Sequence, residues 1–187
     1  MLYGPPIAGE TMGLNSVLAH VRERYLGRAM GVTTSAVRQV GAIPYTLVEG
    51  KVVFLIITSR RTGRWVFPKG APDPAHAPWD QAAIEAFEEA GVEGRVETVP
   101  VGDYRTVKTK GVRRIHVDVD MFPLKVERQL DDWPERGQRY RHWVTLTEAR
   151  RLLSDRRLVE LTELVAARAT SDAMASGAGE PLPVEAD

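Results

Sequence analysis

The sequence predicts an α/β fold, one sandwich of helices against a sheet. Three observations predict it. Strand-like segments rich in β-branched residues stand on both sides of one short amphipathic helix, and helical spacing returns only near the end of the chain. A length of 187 residues, with 43% hydrophobic and 27% charged, suits a single soluble domain with a well-buried core.

The elements follow in order. Residues 1–30 read as an N-terminal extension, loose and rich in Gly and Pro over 1–13. Leu14, Val17, Leu18, Val21 and Tyr25 then fall at helical spacing. The apolar face of that helix must either dock on the domain or form a homodimer contact. The main domain is expected over 31–168. Its first two strands, 35–48 and 51–58, flank a turn at Glu49-Gly50. The run Val52-Val53-Phe54-Leu55-Ile56-Ile57 is continuous, as in a strand covered on both faces. A short strand at Trp65-Val66-Phe67 stops at Pro68, and 80–90 reads as a helix closed by Gly91. Residues 96–108 and 112–124 form an expected hairpin turning at Lys110-Gly111. In its second strand, Ile115, Val117, Val119 and Met121 alternate with His116, Asp118 and Asp120. Thr145 and Glu148 have capping-box spacing before a helix through Leu153. Leu158, Leu161, Leu164 and Val165 mark a last helix. From Ala169 to Asp187 the small and polar residues predict a disordered tail.

Composition excludes several function classes. The 25 basic and 25 acidic residues cancel, so no global field draws the chain to a nucleic acid polymer or a membrane surface. Any anionic ligand must be captured by a local cluster. Without cysteine there is no disulfide, thiolate metal site or cysteine nucleophile. The longest apolar run is far shorter than a membrane span, and the N-terminus does not read as a secretory signal. A cytoplasmic enzyme or binding domain is the expectation.

The helix over 80–90 carries the candidate chemistry. At about 100° per residue, Glu85, Glu88 and Glu89 fall on one side with Gln81 beside them, and Ala83, Ala86, Phe87 and Ala90 fall on the other. Carboxylates at i, i+3 and i+4 repel one another and weaken a helix unless a cation lies between them. Mg²⁺ prefers oxygen ligands and is commonly shared between carboxylates and substrate phosphates. Such an ion neutralises charge developing on a diphosphate and activates a water, with a carboxylate as general base. A solvated acidic surface accounts equally well for the glutamates taken alone.

The surrounding residues separate these alternatives. Gly70, five residues, His76, seven residues and then Ile84-Glu85-Ala86-Phe87-Glu88-Glu89-Ala90-Gly91-Val92 resemble the Nudix box, a pattern of 23 positions from Gly70 to Val92. The resemblance extends in element order over roughly 35–167, without the N-terminal helix or the tail. It implies an α/β/α sandwich with a mixed β-sheet and a metal-dependent hydrolase of diphosphate bonds. It further implies Glu85, Glu88 and Glu89 as metal ligands and catalytic groups, and Mg²⁺ or Mn²⁺ as cofactor. His76 stands where the family usually has its first glutamate, and Ile84 where it usually has an arginine that orients the catalytic glutamate.

Arg64-Trp65-Val66-Phe67-Pro68-Lys69-Gly70, Thr58-Ser59-Arg60, Trp133-Pro134-Glu135 and Trp143 are similar to the branch of that family acting on diphosphoinositol polyphosphates and diadenosine polyphosphates. Such substrates need a local cationic surface. Arg38, Arg60, Arg64 and Lys69, with the Gly70 backbone, are the expected phosphate contacts, since arginine matches phosphate oxygens bidentately. Lys108, Lys110, Arg113 and Arg114 crowd one hairpin tip and are read as solvating it. His116, Asp118 and Asp120 share one strand face, which alternation explains without a second metal. Trp65, Trp133 and Trp143 are read as covering core edges rather than stacking on a base. Two other functions remain open: hydrolysis of nucleoside triphosphates or nucleotide sugars, and a Nudix-fold ligand-binding domain with little turnover.

Overall fold

The first strand, β1 (Val37–Val48), is the spine around which the sheet assembles. A two-residue turn at Glu49-Gly50 returns the chain into β2 (Lys51–Thr58), antiparallel with Tyr45 opposite Phe54. β3 (Trp65–Val66) adds to the outer end of β2, and β4 (Lys69–Gly70) folds back onto β1 opposite Val40 and Gly41. The other edge of β1 takes β7 (Arg113–Gln129) in parallel, from Val37 opposite Val117 to Tyr45 opposite Lys125. Around β7 lie β5 (Val92–Val96) and β6 (Gly102–Lys110), both antiparallel to it. β8 (Arg141–Thr145) closes on β2. The sheet is therefore mixed and eight-stranded, as expected. This computed structural model describes residues 37–110 and 113–175. The helix expected over 14–26 and the residues from 176 onward lie outside the described residues.

Among the described residues three helices cover the sheet: α1 (Pro78–Ala90), α2 (Leu146–Leu152) and α3 (Arg156–Ala175). Strand alternation assigns each its face. Phe54 and Ile56 of β2 point with Ile43, Val117, Val119 and Met121 into the layer covered by Ala149, Leu158, Leu161 and Val165. Leu55 and Ile57 point oppositely, with Val40, Ala42, Phe122 and Leu124, onto Ala82, Ala86 and Ala90 of α1. The alanine stripe lets α1 lie close to the sheet. This is the α/β/α sandwich, with β2 buried on both faces.

Local chemistry sets the helix ends. Pro78 opens α1, where its missing N–H is harmless. Gly91 closes it in the left-handed region at φ 64°, its N–H reaching the carbonyls of Ala86 and Phe87. At α2 the Thr145 side chain accepts from the Glu148 N–H while Glu148 accepts from the Thr145 N–H, a complete capping box.

Three expectations are corrected. The strand expected over 96–108 is broken: β5 ends at Val96, a loop through Pro100 intervenes, and β6 begins at Gly102. Proline has no N–H for the ladder. The boundary expected at residue 168 falls inside α3, which continues to Ala175 with Ala169 buried. β8 was not expected at all. The expected pairing of β6 with β7 is present, but Lys110, expected in the turn, belongs to β6 opposite Arg113.

Candidate active site

α1 and β4 meet at the three glutamates, and they meet unequally. Glu89 is buried, Glu85 half-buried and Glu88 exposed. The helical wheel groups them on one polar side, but β4 runs along that side and covers part of it. The Lys69 N–H donates to Glu89 Oε2 at 3.0 Å, so a backbone donor replaces the solvent that Glu89 loses. Ala82, rather than Ala83, joins Ala86 and Ala90 on the fully buried stripe, and Gln81 is buried as well. Gln81 Nε2 donates to Glu85 Oε1 at 3.1 Å, one turn along the helix. Gly70 has its place for a steric reason, because a Cβ there would fall 1.8 Å from Glu85 Oε1. Only glycine lets the loop and this carboxylate approach so closely.

Burial governs the electrostatics. It pushes the Glu85 carboxyl above the usual carboxylate range; the Gln81 hydrogen bond opposes the shift, and the charges of Glu89, Glu88 and Glu135 add to it. Burial likewise raises Glu89, against the Lys69 N–H and the charges of Arg139 and Lys69. Burial pushes the Lys69 ammonium down to about 8, with Glu89 resisting the fall. Lys108 of β6 is lowered by burial too, while Glu89 and Glu85 pull it upward. Two desolvated carboxylates and two amines therefore share one electrostatic neighbourhood. Reading Lys108 as mere hairpin solvation leaves out that shared field.

Two further side chains stand at this site: Arg139, which the sequence reading missed, and Glu135, which it noted only within Trp133-Pro134-Glu135. Arg139, in the loop before β8, places Nη2 on Glu89 Oε1, donates Nε to Glu135 Oε2 at 2.5 Å, and donates Nη1 to the Thr58 carbonyl at 3.1 Å. The Glu135 N–H in turn donates to the Glu88 carbonyl at 3.1 Å, which docks the loop on the end of α1. Arg139 lies 50 positions beyond Glu89, and no local pattern joins them. The only signal available was Glu135 and Arg139 at i, i+4 beside Trp133-Pro134.

The other expected residues are distributed as follows. Arg60 reaches Glu135 at 3.0 Å, on the rim of the same cluster. Arg64 is exposed just before β3. Arg38 pairs with Asp120 of β7 at 2.6 Å, a partner outside the α1 glutamates. His76 is exposed and faces Asp73 at 3.3 Å within its own loop. Asp118 takes two bonds from Arg105, at 2.6 and 3.1 Å. Trp143 donates to Gln129, Trp65 tilts against His142 and Trp133 stacks under the Arg141 guanidinium at 3.9 Å.

Among the described residues no three His, Asp or Glu side chains converge as a ready-made metal cage. The donor set nevertheless suits a hard divalent ion. Glu85 and Glu89 are oxygen donors one helical turn apart; the charge of Glu85 is disfavoured by burial and by Glu89, Glu88 and Glu135, and that of Glu89 by burial and by Glu135. A cation between them relieves both.

Comparison with known proteins agrees with this geometry. Residues 37–164 match the model of the NUDIX domain. The chain is 33% identical over 134 residues to the Arabidopsis thaliana protein named Nudix hydrolase 12, mitochondrial, covering 58% of this chain and 62% of that protein. It is 30% identical over 103 residues to diphosphoinositol polyphosphate phosphohydrolase 3-beta of Bos taurus, covering 54% and 59%. The chain thus spans about 60% of the length of these curated relatives. The fold superposes on a crystal structure of a C. elegans Ap4A hydrolase in a binary complex with TM-score 0.55 and 20% identity, covering 72% of this chain and 98% of that one.

Proposed function

Because the chain belongs to the Nudix family, whose domain model covers residues 37–164, we propose that it is a metal-dependent hydrolase of diphosphate bonds. Its proposed substrates are phosphate-rich small molecules, diadenosine polyphosphates or diphosphoinositol polyphosphates. One observation carries the reading: Glu85 and Glu89 lie one turn apart, both raised by burial, beside a glycine that makes room for one of them. Glu85, Glu88 and Glu89 would hold Mg²⁺ or Mn²⁺. When bound, the metal would supply charge neutralisation on the diphosphate and a water of lowered pKa.

The remaining roles belong to the chain itself. The Lys69 and Lys108 ammonium groups lie within electrostatic reach of Glu85 and Glu89 and would supply cations for phosphate oxygens. Arg60 and Arg64 extend that surface at the ends of β2 and β3, and Arg38 is assigned to it from β1. Glu85, held by Gln81, or Glu89, held by the Lys69 N–H, takes the proton of the attacking water. The names of the relatives support the substrate class. So does the site, whose basic groups stand against a chain of zero net charge.

A second reading, a ligand-binding domain of low turnover, rests on Arg139 bound to Glu89 and on Ile84 and His76 in place of usual box residues. The test is release of phosphate and nucleotide products with Mg²⁺ or Mn²⁺ across diadenosine polyphosphates, diphosphoinositol polyphosphates, nucleoside triphosphates and nucleotide sugars. Preferential cleavage of the first two is the expected result. Preference for triphosphates or nucleotide sugars replaces the substrate, and binding without turnover replaces the activity.

A further inference from the structure

α1 carries Asp80, Glu85, Glu88 and Glu89 but no Lys or Arg. Any cation that orients its glutamates must come from elsewhere in the chain. Lys69 contributes its backbone N–H to Glu89, which leaves Glu89 Oε1 to be held by a side chain. That side chain is Arg139, and its anchoring does not depend on Glu89. Nε is held by Glu135 and Nη1 by the Thr58 carbonyl, while Glu135 is itself held by Arg60 and by its N–H to the Glu88 carbonyl. With only 7% of its side chain exposed, Arg139 has little freedom to leave. A planar guanidinium with two of its edges fixed aims the third at one place.

The charge balance matters as much as the direction. Glu135 offsets the Arg139 charge inside the cluster, so the pair directs Glu89 without cancelling the negative potential of Glu85, Glu88 and Glu89. We propose that Arg139, anchored by Glu135 and Thr58, is a positioning residue that fixes the Glu89 carboxylate for a divalent metal. This rests on the proposed metal role of Glu89. Groups that orient a metal ligand in this way typically contribute about 10–100-fold in affinity or activity.

The test is Mn²⁺ binding to the full chain, read by the electron paramagnetic resonance signal of free Mn²⁺, for wild type, Arg139→Met and Arg139→Lys, with thermal melting alongside. Arg139→Met is expected to weaken Mn²⁺ about tenfold or more. Arg139→Lys keeps the charge but cannot hold three partners in one plane; it is expected to weaken Mn²⁺ by less and to melt close to wild type. A purely structural arginine would lower the melting temperature and leave the affinity of the folded protein unchanged. Simple competition between Arg139 and metal would make Arg139→Met bind more tightly. Either result overturns the proposal, and Arg139→Lys decides alone if Arg139→Met does not fold. Wild type that binds no Mn²⁺ removes the metal role together with this inference. Wild type that binds Mn²⁺ but hydrolyses nothing removes the hydrolase reading and leaves the inference intact.

Discussion

Two acidic groups look alike in the sequence and differ in the fold. On β7, Asp118 and Asp120 each meet one arginine from a neighbouring strand, Arg105 and Arg38, at 2.6 Å. Every charge there has its own partner. On α1, Glu85 and Glu89 are raised by burial, and the cations near them are shared or committed elsewhere. The β7 carboxylates pair with arginines of neighbouring strands, whereas the α1 carboxylates are, on the proposed function, the groups that would hold a divalent metal. Acidity alone does not distinguish a site from a ladder; the matching of charges does.

The largest effect that would sharpen this contrast is on turnover. Glu85→Gln and Glu89→Gln are each expected to lower hydrolysis by about 10²–10⁴-fold, the span that a general base supplies. Asp118→Asn should leave it near wild type. Steady-state product release under saturating Mg²⁺ reads all three, and equal losses would erase the distinction between the two groups. A smaller loss, about 10–100-fold, is expected for Gly70→Ala, whose new Cβ would displace Glu85 rather than remove it.

Stability should respond in the opposite sense. Asp120 is fully buried and its removal takes the 2.6 Å ion pair from Arg38, so Asp120→Ala is expected to cost about 3 kcal/mol in urea denaturation. Arg105→Ala breaks an exposed pair and should barely move the midpoint.

The smallest effect concerns pH. Glu85 has a folded pKa above its ordinary value, so the folded state binds more protons than the unfolded state between the two values. Its contribution is full below the ordinary carboxylate value and is lost as pH rises through the raised one. Metal-free Glu85→Gln should therefore gain stability relative to wild type as pH increases across that window, in parallel urea titrations. A difference independent of pH would contradict the burial of this carboxyl.

Much of this was legible because it is local. Pro78 and Gly91 bracket α1, Thr145 and Glu148 cap α2, Glu49-Gly50 turns β1 into β2, and Gly70 with the glutamates carries the family pattern. What was illegible is long-range. Arg139 and Glu135 belong to the site only because the loop before β8 docks on the end of α1, and the Trp133-Pro134-Glu135 run and the i, i+4 spacing of Glu135 and Arg139 do not announce that. β8 itself, Arg-His-Trp-Val-Thr, is short and polar enough to read as loop; its pairing with β2 is what makes it a strand. The burial of Glu89 escaped the helical wheel for the same reason. A wheel knows the polar side of a helix but not that a backbone strand lies across it.

The measurement that bears most directly on the whole account is product release from diadenosine tetraphosphate by wild type, before chelation, after chelation with EDTA and after Mg²⁺ is restored. Hydrolysis abolished by the chelator, recovered with Mg²⁺, and lowered by orders of magnitude in Glu89→Gln is the predicted result. Hydrolysis that continues at full rate in the chelator, or an unaffected Glu89→Gln, would contradict it.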